Sequence, residues 1–197
     1  MRVMALLSRS APSLADLGSA PGLSGLHPWL NTPDERPLAT EGLRGRVVLV
    51  HFWTYVCGNC VRTLPHVRAL DCAYRSEGLT VVGVHTPELH EDRNPRRVTD
   101  AVRRLRVQYA VAMDNDLVAW NAWTVSCWPS LFLVDATGRV RYRHEGEGSY
   151  RTHERAVRTL LAEADNAAGR PSSTARPLSA SGSRLTAPPG CTSDRAG

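Results

Sequence analysis

Two cysteines, Cys57 and Cys60, stand two residues apart in the stretch HFWTYVCGNCVRTLP, from His51 to Pro65. Cysteines at this spacing are a dithiol–disulfide couple, half of a metal site, or two small buried hydrophobes. If the pair opens a helix, its members do different jobs. The first lies at the helix end, where unpaired N–H groups and the positive end of the macrodipole favour the thiolate, the nucleophilic form. The second lies one turn inside and is more buried. It can attack a mixed disulfide on the first and release a reduced product. Cys57 is therefore the candidate attacking thiol and Cys60 the candidate resolving thiol. Structural zinc needs a second pair of ligands. Cys72, Cys127 and Cys191 are scattered and no H-x-x-x-H follows, so no metal is expected.

The elements around the pair suit redox work. VVLVHFW (Val47–Trp53) is a continuous β-rich run, the pattern of a strand buried on both faces. A helix is expected next, with Cys60, Leu64, Val67, Leu70 and Tyr74 on one face and Pro65 kinking it. Gly78–Val84 reads as a second buried strand, completing a βαβ unit. Asn94-Pro95 is a cap and first residue for a helix that buries Val98, Ala101, Val102 and Leu105. A short strand over QYAVAMD and a short helix over Asp114–Trp123 follow. Ser130–Val134 and Arg139–His144 read as a hairpin, the second strand half-exposed at an edge. GEG (Gly146–Gly148) breaks the chain before a last helix, about Tyr150–Ala164. Trp29 and Leu30 are candidates to pack against the domain edge. The order βαβ, α, β, α, ββ, α implies an α/β fold with a mixed sheet and helices on both faces.

The chain of 197 residues is 42% hydrophobic, enough for one domain with spare length. Residues 1–26 read as an irregular segment, 27–165 as the domain, and 166–197, rich in Ala, Ser, Pro and Arg, as a disordered tail. The net charge of +5 comes largely from that tail, and every basic residue is Arg. A solvated tail explains this better than a nucleic-acid interface, which needs a basic stripe with base-reading groups. No apolar run approaches the ~20 residues of a membrane span. The N-terminal apolar stretch is shorter than the ~7–15 residues of a secretory signal. A cytoplasmic location is therefore expected, or an extracytoplasmic one if the true N-terminus differs.

The segment VVLVHFWTYVCGNCVRTLP resembles the active-site segment of thioredoxin-fold proteins. It most resembles the TlpA/ResA-like, redoxin branch, including the soluble domain of DipZ-type reductases and of NHL-repeat proteins. GLTVVGVHTPE, MDND, CWPSLFLVDATGRVRY and GEG match in the same order, so the resemblance covers about Trp29–Ala164. It implies a thioredoxin-like three-layer α/β/α sandwich and thiol–disulfide exchange on protein or small disulfide substrates. A redox donor or acceptor protein is implied as partner, with no bound cofactor and a monomeric chain. By the same resemblance Pro129 is a cis-proline facing the two cysteines, and Trp128 offers its backbone to an extended substrate.

Two departures from thioredoxins stand out. His51 occupies the position of a buried Asp that helps move the resolving thiol's proton, and imidazole could accept that proton. Gly58-Asn59 replaces Gly-Pro between the cysteines, a dipeptide that tunes the potential. Two rival functions remain. Thr54, three residues before Cys57, matches half of a peroxiredoxin pattern, although Val50 stands where that pattern has proline. The chain could also be a thioredoxin-fold binding module with incidental cysteines. Cys127 and Cys72 read as packed small residues, Cys191 as a tail bystander, and His66 as partly exposed. Trp53, Tyr55, Trp120 and Trp123 read as core or groove wall.

Overall fold

The computed structural model describes residues 14–38, 43–169, 178–181 and 184–186. Strand β2 (Val47–Trp53) is buried along its whole length, as its unbroken β-branched and aromatic run requires. It pairs in parallel with β3 (Leu79–His85), which pairs in parallel with β4 (Ala110–Met113). On its other side β2 pairs antiparallel with β5 (Ser130–Val134), and β5 with β6 (Val140–Glu145). The short β1 (Trp29–Leu30) closes the far edge against β4, so the order is β1-β4-β3-β2-β5-β6.

Alternate residues of β2 feed two cores. Val47, Leu49 and Trp53 pack with Leu64, Val67 and Leu70 of helix α1 (Gly58–Tyr74), Val98 and Val102 of α2 (Pro95–Arg104), and Val157, Leu160 and Leu161 of α4 (Tyr150–Ala167). Val48, Val50 and Phe52 pack with Ala119 of α3 (Val118–Ala122), Trp123, Leu23 and Leu26. The sandwich therefore has three helices on one face and a short helix plus an N-terminal strap on the other. The two crossovers, β2-α1-β3 and β3-α2-β4, step in the same direction along the sheet, as crossovers of one hand do when they place α1 and α2 on one face.

Most expected elements appear within a residue or two. Asn94 caps α2, accepting from the N–H groups of Arg96 and Arg97. Helix α1 runs unbroken through Pro65. Two expectations need correction. The segment before residue 27 is irregular and docked: Leu17 N–H donates to Val140 O at 2.8 Å, Asp16 pairs with Arg139, and Leu23 and Leu26 are buried. In the segment read as a disordered tail, α4 continues to Ala167. Leu178 is buried in the α1/α4 core, and its N–H donates to Glu154 Oε1 at 2.6 Å. It leads into a hairpin of β7 (Ser179–Ser181) and β8 (Arg184–Thr186), with β8 against α1. Finally, Cys72 is half-buried and disulfide-bonded, not a free core thiol. Cys191 lies outside the described residues.

Candidate active site

The topology gathers three loops at one end of the sheet. The loop after β2 carries the two cysteines. Trp53 is the register partner of His85, the last residue of β3, so the loop after β3 begins beside it. Phe52 faces Ser130 in the antiparallel ladder, so the residues entering β5 arrive at the same place.

Cys57 is the N-cap of α1, with extended backbone (φ −77°, ψ 115°). Its Sγ accepts the Cys60 N–H at 3.4 Å, and its carbonyl accepts the Val61 N–H, the first bond of the helix. The Cys57 sulfur therefore sits at the helix end with a main-chain N–H aimed at it. Cys57 is half-buried, whereas Cys60, one turn inside, is fully buried. Both are free thiols. Burial pushes the Cys60 thiol up, Cys57 and Glu88 add to this, and a hydrogen bond from the Thr54 main chain opposes it.

The Trp128–Pro129 peptide is cis, and the Trp128 carbonyl oxygen lies 4.0 Å from Cys57 Sγ. Pro129 is buried and its carbonyl accepts the Gly146 N–H at 2.7 Å. The Trp128 ring packs against Trp120 at 4.3 Å. Helix α3, which carries Trp120, is fixed by Asp114, whose carboxylate accepts from Ala119 N at 3.0 Å and Trp120 N at 2.8 Å. Trp53 and Trp123 are core residues, and Tyr55 and Trp120 border the cysteine loop. Cys127 is a half-buried free thiol whose carbonyl accepts from Ser130 Oγ.

His51 lies on the α1/α4 side of β2, fully buried, with its ring stacked at 6.5 Å on Trp53. Burial first and His66 second lower it to about 3, so it is neutral and a weak base. Its electrostatic neighbours are His66 and His153. This gives His51 little basicity with which to take the Cys60 proton. His66 is itself buried, because α4 lays Tyr150 at 4.6 Å and His153 at 5.3 Å over it. The expectation of a partly exposed His66 is corrected by that packing.

Sequence reasoning missed three contributors. Arg62 donates to Asn59 of the intercysteine dipeptide and to Glu147 of the GEG loop at 2.9 Å. Glu88 lies near enough to act on Cys60. His85 sits under the cysteine loop with Nε2 3.4 Å from Thr54 Oγ1. An acidic residue between two glycines and a histidine ending a strand leave no periodic signal, because their partners are distant in the chain. Thr54 is fully buried and its hydroxyl is turned to His85. Among the described residues, no three His, Cys, Asp or Glu side chains are arranged to hold a metal ion, and no helix is long and apolar enough to cross a membrane.

This is the architecture of thioredoxin-like proteins. A solved thioredoxin-like superfamily protein superposes with a TM-score of 0.68 at 26% identity, covering 73% of this chain and 96% of the other. The redoxin family model matches residues 11–161, and the chain belongs to the redoxin family. It is 43% identical over 157 residues to Protein DipZ of Mycobacterium tuberculosis, covering 80% of this chain but 23% of that protein. It is 28% identical over 146 residues to the thiol-disulfide oxidoreductase YkuV of Bacillus subtilis, covering 74% of this chain and 95% of YkuV. The family match begins at residue 11, in keeping with the docked N-terminal strap.

Proposed function

We propose that the chain is a thiol–disulfide oxidoreductase working through Cys57 and Cys60. The observation that carries this is the asymmetry of the pair: a half-exposed N-cap sulfur accepting an N–H, and a fully buried thiol one turn behind it. In reduction of a substrate disulfide, the Cys57 thiolate attacks one substrate sulfur and the substrate S–S bond breaks. The electron pair leaves with the second sulfur, which takes up a proton. Cys60 then loses its proton and attacks Cys57 Sγ. The mixed disulfide breaks, the substrate departs as a dithiol, and Cys57–Cys60 becomes the disulfide. A donor dithiol protein resets the pair, and in the oxidising direction the steps reverse.

Trp128 borders the attacking sulfur and Pro129 follows it through a cis peptide, and the Trp128 main chain suits an extended substrate segment as an added strand. Protein disulfides or dithiols are the substrate class, since a strand-like approach recognises backbone. The similarity to YkuV over nearly its whole length supports the reading. The Cys60→Ser protein, offered a disulfide-bonded protein substrate, is expected to accumulate a mixed disulfide at Cys57. The Cys57→Ser protein is expected to form none. Partner capture that survives both substitutions unchanged would favour a binding module instead.

A further inference from the structure

Apart from the two cysteines, the most constrained titratable side chain at this end of the sheet is His85. It ends β3 as the register partner of Trp53. The main chain locks it on both sides: Thr86 N–H donates to Trp53 O at 3.0 Å, and Asp114 N–H donates to His85 O at 2.9 Å. The ring is fully buried, stacked at 5.5 Å on Tyr55 and edge-on at 5.6 Å to Trp53. Its Nε2 meets Thr54 Oγ1 at 3.4 Å. Thr54 and Tyr55 open the loop that leads to Cys57, and the Thr54 main chain opposes the upward push of burial on Cys60. Tyr55, the ring's cover, is itself held by Asp92 and Arg97.

We propose that His85 is a positioning residue for the dithiol: through its contacts with Thr54 and Tyr55 it fixes the start of the loop that carries Cys57 and leads to Cys60. This rests on the dithiol reading above. The charged and titratable groups around His85 are Tyr55 from the cysteine loop, Asp92 from the 3-10 turn His90–Arg93, and, beyond Thr54, Cys60 of α1 with Glu88 beside it. Burial lowers His85 to about 4 against the opposing pull of Asp92, so the ring is neutral at working pH. A neutral ring this weakly basic serves as a fixed hydrogen-bond partner and not as the proton acceptor.

An aromatic disulfide with a coloured thiolate, dithiobis-nitrobenzoate, separates the two steps. In a Cys127→Ser background, which removes the other free thiol among the described residues, Cys57 attack releases one coloured thiolate and leaves a Cys57 mixed disulfide. Cys60 then loses its proton to water and attacks Cys57 Sγ, and the second coloured thiolate leaves with the electron pair. Thr54→Val removes the hydroxyl at constant volume, and His85→Phe removes the ring nitrogen. Each is expected to slow the second release about tenfold, the scale of one lost hydrogen bond, and to move its pH midpoint upward. The first release should stay near the wild-type rate, and His85→Gln should restore most of the second. Unchanged second-phase pH profiles in folded Thr54→Val and His85→Phe proteins would overturn the role of His85 alone. Equal loss in His85→Gln and His85→Phe would also overturn it. A wild-type protein with no second release would overturn the dithiol reading, and this inference with it.

Discussion

Acid should unfold this protein early, and the histidines set the scale. Among the described residues, His51, His66, His85 and His153 are buried. Burial lowers them from 6.5 to about 3, 4, 4 and 3 respectively. The folded state therefore keeps them neutral while the unfolded chain binds protons at the ordinary value. Stability is full above about pH 6.5 and falls as pH drops toward the folded values, because the unfolded state then holds more protons. At about pH 5 each histidine costs about 2 kcal/mol by this linkage, and four cost about 8 kcal/mol. That is comparable with the whole ~5–15 kcal/mol stability of a domain. Three of the four are neighbours: His153 lies 5.3 Å from His66 and 4.7 Å from His144, with His51 acting on it electrostatically. The check is urea unfolding at a series of pH values. The slope between about pH 6 and pH 5 should approach four protons, and His153→Leu should reduce it by about one. A flat stability over that range would refute the reasoning, as would a slope unchanged in His153→Leu.

Other outcomes follow from single contacts. Asp114→Ala removes both carboxylate bonds to the start of α3. It should cost about 1–3 kcal/mol and alter the fluorescence of the Trp120–Trp128 pair; an unchanged emission spectrum would show that the cap does not hold that wall. Leu178→Ala should cost about 2 kcal/mol in thermal unfolding, because a buried side chain leaves the α1/α4 core; no change would mean the segment contributes nothing there. Arg62→Ala breaks an ion pair whose arginine is 59% exposed, so stability should move by under about 1 kcal/mol. Because Asn59 is released with it, the potential of the Cys57–Cys60 couple should shift in the same variant. An unshifted potential would separate Arg62 from the redox centre.

What could be read from the chain alone was what repeats locally. The buried run Val47–Trp53, the helical spacing behind Cys60 and the Asn94-Pro95 start each carry their own pattern, and each element formed where expected. The cysteines and Pro129 met because the antiparallel β2–β5 ladder joins their loops. The misses share a different cause. Leu178 is one apolar residue in a polar stretch, and it orders through Glu154, which is buried with the Tyr74 hydroxyl on it. His66 is of a residue type usually read as exposed, and only the packing of α4 on α1 buries it. His85 ends a strand whose partner, Thr54, is 31 positions away, so no window along the chain contains the pair.

The most direct test of the central claim is a redox titration of the whole chain in glutathione buffers, with free thiols trapped by a mass-shifting maleimide and located by digestion. The account predicts that Cys57 and Cys60 lose and regain label together as one two-electron couple, while Cys127 stays labelled throughout. It is contradicted if the two never pair, if either pairs with Cys127, or if they resist labelling until a chelator is added.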